Sequence, residues 1–155
     1  MDSRARVPIF DRLTGHLSSP HDGTGLSADG LQRSICLDLE RLLNTRNGLT
    51  VRQFLDCDGG VMHYGIPDTL ALSTLSDQVL LSNVLKKALV LFEPRLSRIE
   101  IRVVADVHAP QKMNAQIRGA VNVNGHHSRV DFDLELGGAT AKVGAGGSVG
   151  PKGVM

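Results

Sequence analysis

Aromatic side chains are scarce in this chain, which has no tryptophan, one tyrosine and four phenylalanines among 155 residues. Stacking platforms for single-stranded nucleic acid are therefore poorly supplied, and the core must be mostly aliphatic. An excess of either charge is also lacking. Seventeen basic residues stand against 16 acidic ones, for a formal net charge of +1, so the clustered basic surplus of a nucleic-acid surface is missing. Cys36 and Cys57 are the only cysteines, too few for a disulfide framework. No run reaches the ~18–20 apolar residues of a membrane span, and Met1 to Pro8 lacks the apolar stretch of a secretory signal. These absences predict a reduced, cytoplasmic protein that neither inserts into a membrane nor binds nucleic acid. The length suits one domain with a single core.

Against that background the hydrophobic pattern is clear. Ile9, Phe10 and Leu13 share one face of a short helical turn within an N-terminal segment, residues 1–28, and Ser18 to Gly30, rich in Ser, Gly, Asp and Pro, reads as a loop. Leu31, Ile35, Leu39 and Leu42 recur at helical spacing and predict a helix over 31–44, with Asp29 as N-cap and Asn47-Gly48 as the stop. Thr50 to Leu55 fits a short helix or a strand. A second long helix is predicted over 75–92 from a capping box at Thr74 to Asp77. Its broad apolar face comprises Leu75, Val79, Leu81, Val84, Leu85, Ala88, Leu89 and Phe92, and Pro94 ends it.

Three strands follow. The first alternates Ile99, Ile101, Val103, Ala105 and Val107 with mostly polar residues; the second runs from Met113 to Val123 and the third from Val130 to Leu136. Asn124-Gly125 between the last two is a strong hairpin signal. A two-residue turn there would set Ile117 against Phe132 and Arg118 against Asp131. A four-residue turn ending at His127 would shift the pairing by two and keep the same faces. After Leu136 glycine dominates, and residues 139–155 are expected to be a flexible tail, dispensable for folding. The expected fold is α+β: two main helices on one face of a small, mostly antiparallel three-stranded sheet, within a domain spanning 29–138.

Chemistry is sparse. Phosphate-binding, dinucleotide-binding and zinc spacings are lacking, as is a nucleophile elbow, so no cofactor or metal is expected. His126 and His127 are adjacent on a strand and would point to opposite faces, as loop-proximal histidines rather than ligands. Asp131, Asp133 and Glu135 share a strand face. Glycoside hydrolysis needs two carboxylates roughly 5–9.5 Å apart across a sugar, which i, i+2 spacing on a strand permits. They would nevertheless lie on an open face, without the apolar pocket that raises a general acid's pKa. Glu93-Pro94-Arg95 is the most unusual cluster. It reads either as a helix stop with two solvated charges or as a charged contact to a partner at the corner between the second helix and the first strand.

Four stretches together carry a resemblance: Ile9-Phe10-Asp11-Arg12-Leu13-Thr14-Gly15, Leu37-Asp38-Leu39-Glu40-Arg41-Leu42-Leu43-Asn44-Thr45-Arg46, Tyr64-Gly65-Ile66-Pro67-Asp68, and Phe92-Glu93-Pro94-Arg95-Leu96. In order and spacing, over roughly residues 9–136, they resemble the TssE family of type VI secretion baseplate subunits, relatives of the contractile-phage baseplate wedge protein. The resemblance implies a structural, non-enzymatic role in a cytoplasmic baseplate docked at the inner membrane. It implies TssF, TssG and TssK as wedge partners, and a junction by strand exchange with the first ring of the TssB/TssC contractile sheath that helps start sheath polymerisation. The family's Glu-Pro-Arg motif falls on Glu93, Pro94 and Arg95, which the resemblance makes partner-binding residues. An old lysozyme label for the family leaves a peptidoglycan-cleaving hydrolase as the alternative, although it implies no active-site pair that can be placed here.

Overall fold

The computed structural model describes residues 27–68, 75–109, 112–137 and 140–146. The expected helical turn at residues 9–13 and the capping residue Thr74 lie outside them. Among the described residues the α-helices are α1 (Ala28–Leu43), α2 (Val51–Asp56) and α3 (Leu75–Phe92), with a 3-10 turn at Val61–His63 before α3. Four strands follow: β1 (Leu96–Ala105), β2 (Met113–Val123), β3 (His126–Leu136) and β4 (Lys142–Ala145). They form one antiparallel sheet in the order β1-β2-β3-β4.

The α1 stripe is buried as its spacing predicts: Leu31, Ile35, Leu39 and Leu42 are each at most 2% exposed, and Leu43 joins them. Both ends of the helix differ from expectation. Ser27, not Asp29, is the N-cap, its hydroxyl accepting from the Gly30 N–H at 3.2 Å. Asp29 falls in the first turn, where its carboxylate suits the positive end of the helix. The helix stops at Leu43 with Asn44 as C-cap, before Asn47-Gly48. Thr50 to Leu55 resolves to helix α2, because Thr50 and Gln53 form a reciprocal capping box. That box holds Phe54 fully in the core.

The bounds of α3 match the expected ones, but its apolar face is narrower. Leu81, Val84, Leu85, Ala88 and Leu89 are buried, whereas Val79 is 65% exposed and Val90 61%. β1 starts three residues earlier than the alternation suggested. A bulge between Ser97 and Glu100 sets Arg98 and Ile99 opposite the single residue Gly119 and turns Leu96 and Ile99 to the same side. Gly119 faces this bulge, and a side chain there would collide with Leu96 at 2.6 Å. Val107 lies beyond the strand and is exposed. The β2–β3 hairpin takes the two-residue turn. Asn124 and Gly125 both have positive φ, at 53° and 82°, and Ile117 pairs with Phe132 and Arg118 with Asp131. The inner face of the sheet carries Met113, Ala115, Ile117, Val121, Val130, Phe132 and Leu134, all buried with the helical leucines in one core.

The sheet has four strands, not three, and the fourth comes from the glycine-rich segment expected to be a flexible tail. Lys142 pairs with Glu135 and Ala145 with Phe132. Two devices dock this short strand. Asn44, the C-cap of α1, accepts from the Ala141 N–H at 2.7 Å and donates to its carbonyl at 3.0 Å, in the manner of a strand partner. Gly146 donates to the Asp131 carbonyl at 2.8 Å, and a Cβ on it would meet the Asp131 backbone at 3.0 Å. Here glycine permits close backbone approach as well as freedom.

Candidate functional site

The corner between α3 and β1 is a tight turn. Glu93 N–H still donates to the Leu89 carbonyl at 2.9 Å, and Leu96 N–H donates back to the Glu93 carbonyl at 3.2 Å. Pro94 occupies the position whose φ the ring presets, and it is exposed. Glu93 points inward and is only 3% exposed, the one charged residue fully buried among the described residues. A carboxylate in that setting needs a partner, and Arg95 supplies it as a two-pronged fork. Its Nε donates to Glu93 Oε1 at 2.6 Å and its Nη2 to Glu93 Oε2 at 2.7 Å.

Arg95 also reaches across to α1. Nη2 donates to Asp38 Oδ2 at 2.6 Å and Nη1 to Ser34 Oγ at 3.2 Å. The other Asp38 oxygen accepts from Arg41 at 3.1 Å. The motif is therefore neither solvated nor aimed wholly outward: it is a clasp that ties the end of α3 to the middle of α1. Burial alone would lower the Arg95 pKa. The hydrogen bonds and charges of Glu93 and Asp38 outweigh it and hold the guanidinium above its ordinary value.

Tyr64 closes one side. Its ring packs edge-on against Phe92 at 5.3 Å between centroids, with the planes 70° apart. Burial raises its pKa, the negative charges of Asp38 and Glu93 raise it further, and Arg41 opposes them. The chain delivers Tyr64 here through a pinned loop. Ile66 N–H donates to the Thr45 carbonyl at 2.9 Å, and Asn47 N–H donates to the Ile66 carbonyl at 3.2 Å. Gly65 has φ +114°, and a Cβ on it would lie 2.5 Å from the Thr45 oxygen, so only glycine fits.

Three of the four stretches that carry the resemblance thus converge on one corner: Asp38 and Arg41 from the first helix, Tyr64 from the Tyr-Gly-Ile-Pro-Asp loop, and Phe92, Glu93 and Arg95. Residues 9–15 lie outside the described residues. Asp38 and Tyr64 belong to the stretches that carry the resemblance, but the sequence marks neither of them, nor Ser34, as a site residue. Asp38 and Arg95 are 57 positions apart, and no local pattern links them. A polar residue on the margin of an apolar helical stripe is the one available clue.

The carboxylates of β3 lie elsewhere, on the sheet face away from the helices. Glu135 pairs with Lys112 at 2.9 Å. Asp131 sits between Arg118 and Arg129 at 3.9 and 3.8 Å, and Asp133 is exposed. His126 and His127 are exposed at the start of β3. Among the described residues no group of three His, Cys, Asp or Glu side chains is arranged to hold a metal ion. None of their helices is long and apolar enough to cross a membrane.

A family model described as baseplate wedge protein gp25 matches residues 29–126. The chain belongs to the baseplate wedge protein gp25 family. The gp25 match runs from α1 to the start of β3 and contains every member of the clasp, Ser34 and Tyr64 included. Membership of the gp25 family makes the chain a structural component of a baseplate. No curated protein matches it.

Proposed function

We propose that this chain is the TssE-type subunit of a type VI secretion baseplate, working in the cytoplasm in a particle docked at the inner membrane. It joins the wedge formed with TssF, TssG and TssK to the first ring of the TssB/TssC sheath and helps start sheath polymerisation. The carrying observation is that the gp25-family match includes the whole Glu93-Pro94-Arg95 corner. In this reading the clasp holds the corner rigid, and the wedge partner meets its outer side. Pro94 is exposed there, and Arg95 keeps 20% of its side-chain surface. A pre-ordered arginine beside a proline loses little conformational entropy on binding.

The sheath side falls to the sheet. β1 and β4 are its two edges, and an open edge is a template for an added strand. The role is structural throughout, without catalysis. Deleting the gene should abolish dynamic sheaths formed by fluorescent TssB, and the wild-type chain should restore them. Sheaths that assemble normally in the deletion strain would refute the proposal. A turbidity assay on purified cell walls tests the absence of catalysis, and clearing by the protein would revive the hydrolase alternative.

A further inference from the structure

We propose that the groove between α3 and the bulged start of β1 is a second docking site, and that it takes an acidic segment of a partner protein with an apolar side chain at its centre. The groove has a volume of about 650 Å³, and its walls include Val90, Pro94, Leu96 and Ile99 with Lys86 and Arg98. Of its apolar walls Val90, at 61%, and Pro94 are exposed, Ile99 is half-buried and Leu96 is buried. Lys86 and Val90 also belong to one outward stripe of α3, where Val79, Asn83, Lys86 and Val90 are all exposed at spacings of four, three and four.

Two features set the occupant's chemistry. First, neither Lys86 nor Arg98 has an ion-pair partner among the described residues. The clasp is different, because its Arg95 is already engaged by Glu93 and Asp38. One acid, Glu100, also lines the groove, so the cations outnumber it and favour a negatively charged visitor. Second, Arg98 is held at φ +52° within the bulge. Glycine would be relaxed there and a long side chain is not. The bulge re-aims a cationic side chain that fold stability alone would not select. The groove adjoins the clasp corner, with Pro94 common to both, but its cations Lys86 and Arg98 are not part of the clasp, and the proposal does not depend on which subunits meet that corner.

The test is a titration of the isotope-labelled full chain, followed by amide NMR. The probe is a blocked peptide of two leucines flanked on both sides by glutamates, and the control is its lysine-flanked counterpart. The glutamate peptide should shift the amides of residues 96–100 and of Val90, and the lysine peptide should not. Arg98→Gly should weaken binding by up to about fivefold, the usual range for one exposed charge pair, while melting no lower than the wild type. The double variant Lys86→Glu/Arg98→Glu should weaken it by about tenfold or more. The proposal is overturned if the two peptides bind equally, if neither binds, or if the shifts lie on another surface. It is also overturned if concentrating the chain alone shifts the groove amides, which would make the occupant a second copy.

Discussion

Removing the guanidinium of Arg95 is the sharpest perturbation of the corner. In Arg95→Ala four hydrogen bonds disappear: two to Glu93, one to Asp38 and one to Ser34. Asp38 is 25% exposed and keeps Arg41, so water and that arginine can partly compensate it. The Glu93 side chain is only 4% exposed and is left without a cation. Stranding one member of a buried pair costs about 3–5 kcal/mol. Allowing for the solvent that reaches Asp38, the loss should be about 2–4 kcal/mol. A surface pair would lose less than about 1 kcal/mol. Urea unfolding measures the difference, and Tyr64 is a built-in reporter because it is the only tyrosine and there is no tryptophan. The same loss should lower the melting temperature by about 5–15 °C for a chain of this size. Glu93→Gln/Arg95→Met, which leaves no buried charge, should be less destabilised than Arg95→Ala. A change below about 1 kcal/mol for Arg95→Ala, or a double variant weaker than the single one, would refute the clasp.

Other outcomes follow from the same geometry. Leu39→Ala and Leu89→Ala, at 0% and 1% exposure, should each cost about 2–5 kcal/mol in the same urea assay, and less than half a kcal/mol for either would place the helix faces wrongly. A chain ending at Gly137 should lose roughly 2 kcal/mol or more, because Asn44 loses both bonds to Ala141 and the sheet loses β4; an unchanged melt would mean that β4 adds nothing. Absorbance titration of the lone tyrosinate should give a midpoint above the usual ~10, because burial and then the Asp38 and Glu93 charges raise it. Asp38→Asn should bring that midpoint down and Arg41→Ala should move it up. Because the folded state holds this proton to higher pH than the unfolded state, the contribution is complete below the unfolded value and is lost as pH rises through the folded one.

What could be read from the sequence was whatever repeats locally. The leucines of α1 and the span of α3 declare themselves by spacing. The β2–β3 register follows once Asn124-Gly125 is a two-residue turn, and the alternation confirms the faces. β4 was illegible because it is four residues long, contains Gly144 and brings little apolar surface. Its docking depends on Asn44, 97 positions from Ala141. The clasp was half legible. Glu93-Pro94-Arg95 stood out as a charged corner, but only tertiary packing reveals that Glu93 is buried and that Asp38 and Tyr64 share its surroundings. Val79 and Val90 show the converse, apolar residues that the packing leaves outside.

If this gp25-family chain works inside a type VI baseplate wedge, as proposed, it should co-purify with the other wedge subunits. Affinity purification of the tagged chain from native cells, with quantitative mass spectrometry, tests this claim most directly. TssF, TssG and TssK should be recovered with the wild-type chain, and recovery of TssF and TssG should fall at least tenfold with a variant that keeps the fold but alters the exposed corner, Pro94→Asp. Wild-type chain recovered without any of the three subunits, while they co-purify with one another from the same cells, would contradict the claim.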